Sequence, residues 1–335
     1  PFAIKNRIRK GETNSSILWH ILTRSFALLV MGIFLVNTET YHAEASNMTK
    51  PLFVILMNTG FFLIWNVYPK TIEKKKFIFY GLQVAGALLL IYLAIIYRGT
   101  TYEDEHAVVI MQTRWWGILG LIGWTYLVAA PVYLIFRHVR FSMWVFWLFF
   151  IAINIVGSSG ILYNLFYWQD GHWIVGDGAF HAFAFGGILT SMLLNHFRRT
   201  GKILIFYLIL IGATVVFLIA GYISHEFFII SKISATPPWV FFSLATSFIL
   251  FIVLHWLVDL KDKASWFSAI KTAGTATLTC YLIPYFFYSF RTLFGIQLPD
   301  FFRMGMIGLV KSMVYAFIII GIAWMLGKAG IKLKI

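Results

Sequence analysis

The sequence predicts an all-α, polytopic membrane protein, and three observations support this fold class. The 335 residues are 60% hydrophobic and 12% charged, whereas soluble domains carry about 25% charged residues. The apolar residues gather into long stretches, and the segments between these stretches alternate in basic charge. Together these features predict about ten transmembrane helices in a single membrane domain that covers residues 1–335.

Ten apolar stretches follow one another along the chain, and each is close to the ~20 residues that cross ~30 Å of hydrocarbon as a helix. Tryptophan and tyrosine stand near many of their ends, as in the aromatic belts of membrane proteins. The stretches are, in order, Ile17–Val36, Pro51–Tyr68, Phe77–Tyr97, Trp115–Phe136, Phe141–Ile161, Gly178–Phe197, Ile203–Tyr222, Val240–Val258, Thr272–Phe290 and Met304–Leu326.

The basic residues between the stretches predict which way the chain is threaded. Nineteen of the 27 lysines and arginines lie in one set of segments, near residues 5–10, 70–76, 137–140, 198–202, 261–271 and 328–334. The other set holds six, namely Lys50, Arg98, Arg114, Lys232, Arg291 and Arg303. Because cytoplasmic loops carry the excess of Lys and Arg, both ends of this chain are predicted to be cytoplasmic.

Composition also limits the classes of partner. A net charge of +14 in a soluble protein would suggest nucleic acid, but here the cations form short turns between helices. Membrane lipids are therefore the expected partners, and nucleic acid is not. The single cysteine, Cys280, excludes an intrachain disulfide and a thiolate metal cluster, and no metal site is predicted. The chain starts at Pro1-Phe2 directly ahead of a basic segment, so one or two further helices are expected upstream.

The strongest candidate for catalysis is the pair Asp177 and His181. Their i,i+4 spacing would place both side chains on one face of a helix, and a carboxylate that orients an imidazole makes a general base. The alternative is structural: Asp177 would cap the helix start and His181 would hydrogen-bond a neighbouring helix.

Two further segments are candidates for binding an anionic or sugar-like ligand. Arg114 and Trp115 combine a guanidinium with an indole, which suits a planar polar ligand, although the same residues also serve as interface anchors. Lys232 and Trp239 flank two prolines that fix a lead-in to a helix; a rigid loop with a solvated lysine is the alternative.

Arg24, Lys311, Asn58 and Asn154 are polar residues within predicted spans, where ionisable groups are costly and by default suggest function. Arg24 could meet a cofactor phosphate on the cytoplasmic side, and Lys311 lies towards the other side. Either side chain could instead snorkel to its nearer surface. Asn154 is deep in its span and could bind a ligand or hydrogen-bond between helices.

Several segments resemble the bacterial relatives of heparan-α-glucosaminide N-acetyltransferase. They are Pro1–Ile4 with the basic stretch that follows, His20–Ser25, Gly32–Asn37, Gln112–Gly120 and Lys232–Trp239. The resemblance implies an inner-membrane acyltransferase that moves an acetyl group from cytoplasmic acetyl-CoA to an amino or hydroxyl group of a sugar or glycan on the far side. It also implies that the principal catalytic histidine lies upstream of Pro1.

A secondary transporter or flippase for a sugar or lipid-linked glycan is the competing hypothesis. Transporters often contain inverted repeats and helices broken by glycine or proline near the midplane. The sequence has no evident repeat, and most prolines lie at span ends, with Pro131 and Pro284 as exceptions. These features favour the enzyme. The sequence leaves the acceptor, N- versus O-acetylation and a homo-oligomeric state open.

Overall fold

The structure, a computed structural model, describes residues 2–69, 75–104, 106–139, 141–161 and 174–335. The cations at 70, 74 and 140, and most of the predicted loop 162–177, lie outside these residues. The described helices are α1 Phe2–Arg9, α2 Asn14–Asn37, α3 Lys50–Trp65, α4 Lys76–Ile96, α5 Ile118–Phe136, α6 Ser142–Ser158, α7 Ala179–Arg199, α8 Ile203–His225, α9 Pro237–His255, α10 Lys271–Thr275, α11 Thr277–Leu293 and α12 Gly305–Lys328.

The all-α fold class is confirmed. A single short pairing, β1 Gly99–Thr100 with β2 Val108–Val109, is the sheet found in the described part of the chain. A π-helical turn, Trp256–Leu260, continues α9, and 3₁₀ segments Ala264–Ile270 and Asp300–Phe302 precede α10 and α12.

Each predicted stretch overlaps a helix, and six helices are long and apolar enough to cross a membrane. They are α2, α4, α5, α8, α12 and α9 with its π-helical turn. Helices α3 and α6 are apolar but shorter, at 16 and 17 residues. The structure therefore supports a membrane protein with transmembrane helices, and the count of ten spans stays a prediction.

The predicted span Thr272–Phe290 is not one continuous helix. It is divided into α10 and α11 at Ala276, whose backbone leaves the helical region at φ −132° and ψ 41°. Threonines flank the break: Thr277 Oγ1 donates to the Ala273 carbonyl at 2.9 Å, and Thr275 Oγ1 to the Lys271 carbonyl at 3.2 Å. Such hydroxyl bonds compete with the helix ladder and bend it, which hydropathy does not register.

The described residues group into two compact units. Unit 1 comprises the chain up to Gly32 and Arg114–Ala264, and therefore holds α1, most of α2 and α5 to α9. Unit 2 comprises Ile33–Thr113 and Ser265–Ile335. The sequence predicted one membrane domain over residues 1–335. The two units divide these residues into alternating chain segments, and α2 contributes residues to each unit.

Within unit 1, the helices α2 and α5 pack so closely that their backbones are in contact. A Cβ atom on Gly32 would lie 2.5 Å from the Gly120 backbone nitrogen, and one on Gly123 would lie 3.2 Å from Leu28. Small residues permit such contacts between membrane helices, where van der Waals packing replaces the hydrophobic effect as the driving force. The main core of this unit is aromatic and aliphatic and includes Phe185, Phe206, Ala182 and Val240.

Candidate functional site

Three segments of unit 1 meet through one buried amide. Asn154, near the end of α6, is 1% exposed. Its Nδ2 donates to the Asp177 carbonyl at 3.1 Å, just before α7, and to the Ala235 carbonyl at 2.8 Å, just before α9. Because both partners are acceptors, Nδ2 must face them. Asn154 Oδ1 is left buried with no hydrogen-bond partner among the described residues.

The start of α7 is fixed against α6 by local geometry. Asp177 Oδ1 accepts a hydrogen bond from the Ala179 backbone N–H at 2.9 Å, which satisfies one of the free donors of the first turn. Gly178 has φ +78°, and a Cβ atom there would lie 2.7 Å from the Phe150 carbonyl oxygen. Glycine is therefore required at this position. The N-cap of α7 is Gly178, and Asp177 lies one residue before it.

His181 lies in an aromatic ladder between α6 and α7. Its ring stacks on Phe150, with centroids 4.7 Å apart and planes at 21°, and Phe150 also stacks on Phe185 at 5.3 Å. The imidazole is 3% exposed, and neither ring nitrogen has a hydrogen-bond partner in the described part of the chain. A buried polar group without a partner is costly, so this ring needs an explanation beyond packing.

The expected hydrogen bond between Asp177 and His181 does not form, and within the described residues His181 makes no bond to a neighbouring helix either. The reason is local. Asp177 precedes the left-handed Gly178 and is therefore not part of α7, so the i,i+4 rule for helix neighbours does not apply to the pair. Its carboxylate instead turns to the Ala179 N–H.

Burial raises the pKa of the Asp177 carboxyl above its ordinary value of 3.8, although the hydrogen bond from the Ala179 N–H opposes the shift. A raised pKa in the folded state means that the protonated form favours folding. This contribution is fully present below the ordinary value and is lost as pH rises through the folded pKa.

Asp177→Asn should therefore flatten the dependence of stability on pH. Asparagine keeps an oxygen for the Ala179 N–H but removes the charge, so the variant should match the wild type near pH 4 and exceed it near pH 8. The measurement is the melting temperature in detergent across that range. Glu226→Gln, an exposed carboxylate change, should leave the curve unchanged. An Asn variant that keeps the wild-type pH dependence would contradict the assignment.

The segment before α9 carries the predicted residues Lys232 and Trp239. Thr236 Oγ1 donates to the Ile229 carbonyl at 2.7 Å and accepts from the Ser231 N–H at 3.0 Å, which closes the segment into a compact loop. Pro237 opens α9 as expected. The Trp239 ring packs on Phe183 of α7 with centroids 5.3 Å apart, while the Lys232 side chain is exposed.

The structure brings Asn154, Asp177, His181 and the segment 231–239 to one end of unit 1. We call this set the Asn154 cluster. Its members come from three separate parts of the chain, and the amide of Asn154 and the rings of Phe150 and Trp239 hold them together. The cluster contains an exposed lysine, a carboxyl with a raised pKa, and a buried imidazole and amide oxygen without hydrogen-bond partners in the described part of the chain.

Arg114 and Trp115 precede α5 rather than open it. Arg114 is 6% exposed, and its guanidinium lies 6.0 Å from the Trp116 ring. Trp115 packs edge-to-face on Trp124 at 5.2 Å. A solvated anchor at a membrane surface would be exposed, so the burial of Arg114 argues for a structural or binding role within unit 1.

Arg24 and Lys311 lie in different units. Helix α2 begins three residues before the predicted stretch, so Arg24 is about 15 Å along the helix; it is exposed, and its guanidinium lies 4.9 Å from the Tyr126 ring centre. Lys311 belongs to unit 2, where it lines a cleft with Arg291.

Two groupings escaped the sequence interpretation. Tyr207 Oη and His255 Nδ1 lie 2.6 Å apart, yet they are 48 residues apart in two apolar stretches, and no local pattern joins them. Lys5 was counted only as a topology signal. Burial and the neighbouring guanidiniums of Arg199 and Arg9 lower its pKa; the i,i+4 spacing of Lys5 and Arg9 was the one local indication of this basic cluster.

No group of three or more His, Cys, Asp or Glu side chains arranged to hold a metal ion occurs within the described residues. Cys280 is half-buried in α11.

No protein-family model, curated protein or solved structure matches this chain. The resemblance to the acetyltransferase relatives therefore stays a prediction from the residues.

Proposed function

We propose that the protein is a membrane-bound acyltransferase that moves an acetyl group from acetyl-CoA to an amino or hydroxyl group of a sugar or glycan. The observation that carries the proposal is the pair of buried polar groups without partners, the His181 imidazole and Asn154 Oδ1, beside the Asp177 carboxyl. Acyl transfer needs a proton acceptor near the attacking group, and an imidazole and a carboxyl are side chains that can accept a proton.

The acceptor end would use the Asn154 cluster. The attacking nitrogen or oxygen forms a bond to the thioester carbonyl carbon, the carbon–sulfur bond breaks, and the proton released by the acceptor ends on the coenzyme A sulfur. Asn154 Oδ1 would accept a hydrogen bond from the acceptor, and Trp239 offers an indole on which a sugar ring can pack. Asp177 and His181 would act as the base or as support for another catalytic group.

The donor end would use the basic residues at the opposite end of α7. Helix α7 runs 21 residues from Ala179 to Arg199, which is about 30 Å. Lys5, Arg9 and Arg199 gather there: burial, and after it the charges of Arg199 and Arg9, lower the pKa of Lys5. Such a cluster suits the phosphates of coenzyme A. Arg24, about halfway along α2, could meet the donor between the two ends.

The positive-inside rule supports a cytoplasmic donor end. The acceptor end would then face the other side of the inner (plasma) membrane.

Acetyl-CoA should stabilise the full-length protein in detergent, because a ligand that binds only the folded state adds RT ln(1 + [L]/Kd), about 2.7 kcal/mol at a hundred times Kd. The measurement is the melting temperature against acetyl-CoA, with coenzyme A and glucosamine as comparison ligands, followed by acetyl transfer to glucosamine. Lys5→Gln with Arg199→Gln should weaken the donor about tenfold or more.

Lys10→Gln, an exposed cation after α1, serves as the matched control and should leave donor affinity unchanged. Equal losses in the control and in the double variant would point to a nonspecific charge effect. No shift with either form of the coenzyme would contradict the acyltransferase.

One observation favours the competing transporter or flippase. Helix α11 contains Pro284 and is separated from α10 at Ala276, and discontinuous helices are typical of transporter substrate sites. Stabilisation by the sugar alone, without any effect of the coenzyme, would favour this second candidate.

A further inference from the structure

Unit 2 contains a cleft of about 570 Å³ between α11, α12 and the segment that joins them. This volume falls in the range of small-molecule sites, about 300–1,000 Å³. Its walls are mostly apolar and include Phe287, Met306, Val310, Val314 and Ile318. Val310, Val314 and Ile318 form a stripe along α12 and are about half exposed, at 50%, 50% and 52%. The cleft therefore opens sideways along the length of the helix.

One end of the cleft is cationic. Arg291 and Lys311 both line it, and the lining includes no acidic side chain. Arg291 lies two residues before the end of α11, and Lys311 lies six residues, about 9 Å, after the start of α12. Since the two helices are joined end to start and pack together, both cations lie towards the same helix ends.

The arginine has unused binding capacity. Arg291 Nε is buried without a hydrogen-bond partner among the described residues. The guanidinium lies 5.7 Å from the centre of the Tyr288 ring. The ring contacts the guanidinium but carries no negative charge to neutralise it. Asp300, the one acid in residues 265–335, lies 3.4 Å from Arg303. A buried charged donor without a partner is costly, and an anion would remove that cost.

The polarity of the cleft matches one class of ligand. Its cations lie near the helix ends, whereas Phe287, Val314 and Ile318 extend towards the helix middles. A phospholipid in a bilayer has the same arrangement, with its phosphate at the surface and its chains inward. Arginine binds phosphate through paired hydrogen bonds, and the lysine ammonium adds a second positive charge that can contact the same phosphate.

We propose that this cleft binds one anionic phospholipid, with its phosphate on Arg291 and Lys311 and an acyl chain along Val310, Val314 and Ile318. The proposal does not depend on the acyltransferase, because it uses only residues of unit 2. It predicts a lipid that remains with the protein through purification and stabilises the packing of α11 against α12.

The test measures lipid binding to the full-length protein after detergent delipidation, by native mass spectrometry and by the melting temperature. The probes are a phosphatidylglycerol, a phosphatidylcholine with the same chains, and glycerol 3-phosphate. Phosphatidylglycerol should bind at least tenfold more tightly than the other two. Arg291→Gln with Lys311→Gln should remove this preference, at about tenfold per cation. Lys334→Gln, an exposed cation of unit 2 outside the cleft, should keep it.

A second variant tests the chain rather than the charge. Val314→Trp places an indole in the exposed groove, so it should weaken phosphatidylglycerol while leaving both cations in place. The proposal is overturned if the two lipids bind equally, if glycerol 3-phosphate binds as tightly as the lipid, or if Lys334→Gln has the effect of the cleft variants. Persistence of phosphatidylglycerol binding in a folded Arg291→Gln/Lys311→Gln protein would also overturn it.

Discussion

Asn154→Leu is expected to lower the free energy of unfolding by about 2–4 kcal/mol. The leucine side chain is similar in size but donates no hydrogen bond, so the carbonyls of Asp177 and Ala235 both lose their donor. Each buried acceptor left without a partner costs about 1–3 kcal/mol, and part of this is offset by the apolar side chain. The starts of α7 and α9 would no longer be tied to α6.

Asn58→Leu is the matched control. Asn58 is also fully buried, but among the described residues its Nδ2 donates only to the Val54 carbonyl of its own helix, at 2.9 Å. The same substitution there removes no link between segments and should change stability by less than about 1 kcal/mol. Thermal and denaturant unfolding in detergent measure both variants. Similar losses at the two positions would mean that burial of an amide, and not the link between three segments, sets the cost.

The helices could be predicted from the sequence because hydropathy and length are summed over about 20 residues. All ten apolar stretches overlap a helix, and Pro237 begins α9 as expected. The break at Ala276 could not be predicted in this way, because it depends on hydroxyl bonds and backbone angles of single residues. The start of α5 was placed three residues early because tryptophans count as apolar, although Trp115 packs on Trp124 ahead of the helix.

The sequence identified residues of the candidate site but did not predict how they contact one another. Asp177 and His181 were found by their spacing, yet the left-handed Gly178 between them separates their roles. The amide of Asn154 joins segments 23 and 81 residues away, and local periodicity contains no information on such distances. The stacking of His181 on Phe150 depends on the register of α6 against α7. The arrangement of the site therefore depends on long-range packing, whereas the positions of the helices follow from local sequence patterns.

His181→Phe should separate the aromatic role of this ring from its chemistry. The imidazole stacks on Phe150 at 4.7 Å and has no hydrogen bond within the described residues. Phenylalanine can occupy the same ladder and removes two polar nitrogens without partners, so the melting temperature should stay equal or rise. Acetyl transfer should nevertheless fall about 10²–10⁴-fold, the contribution typical of a positioned acid–base group.

Two comparison variants make this result interpretable. Phe150→Leu breaks the ladder but keeps the imidazole, so lost packing should lower the free energy of unfolding by about 1–3 kcal/mol and the melting temperature with it. His225→Phe changes an exposed histidine in the last turn of α8 and should leave both stability and transfer unchanged.

A His181→Phe protein that is stable and fully active would assign the ring to packing alone and move the acid–base role to another group. A stable but inactive protein would give a physical reason for the unpartnered imidazole. Natural cores seldom retain buried polar groups that a hydrophobic ring of the same shape could replace with a gain in stability, so the retained nitrogens would then reflect a reaction that phenylalanine cannot support.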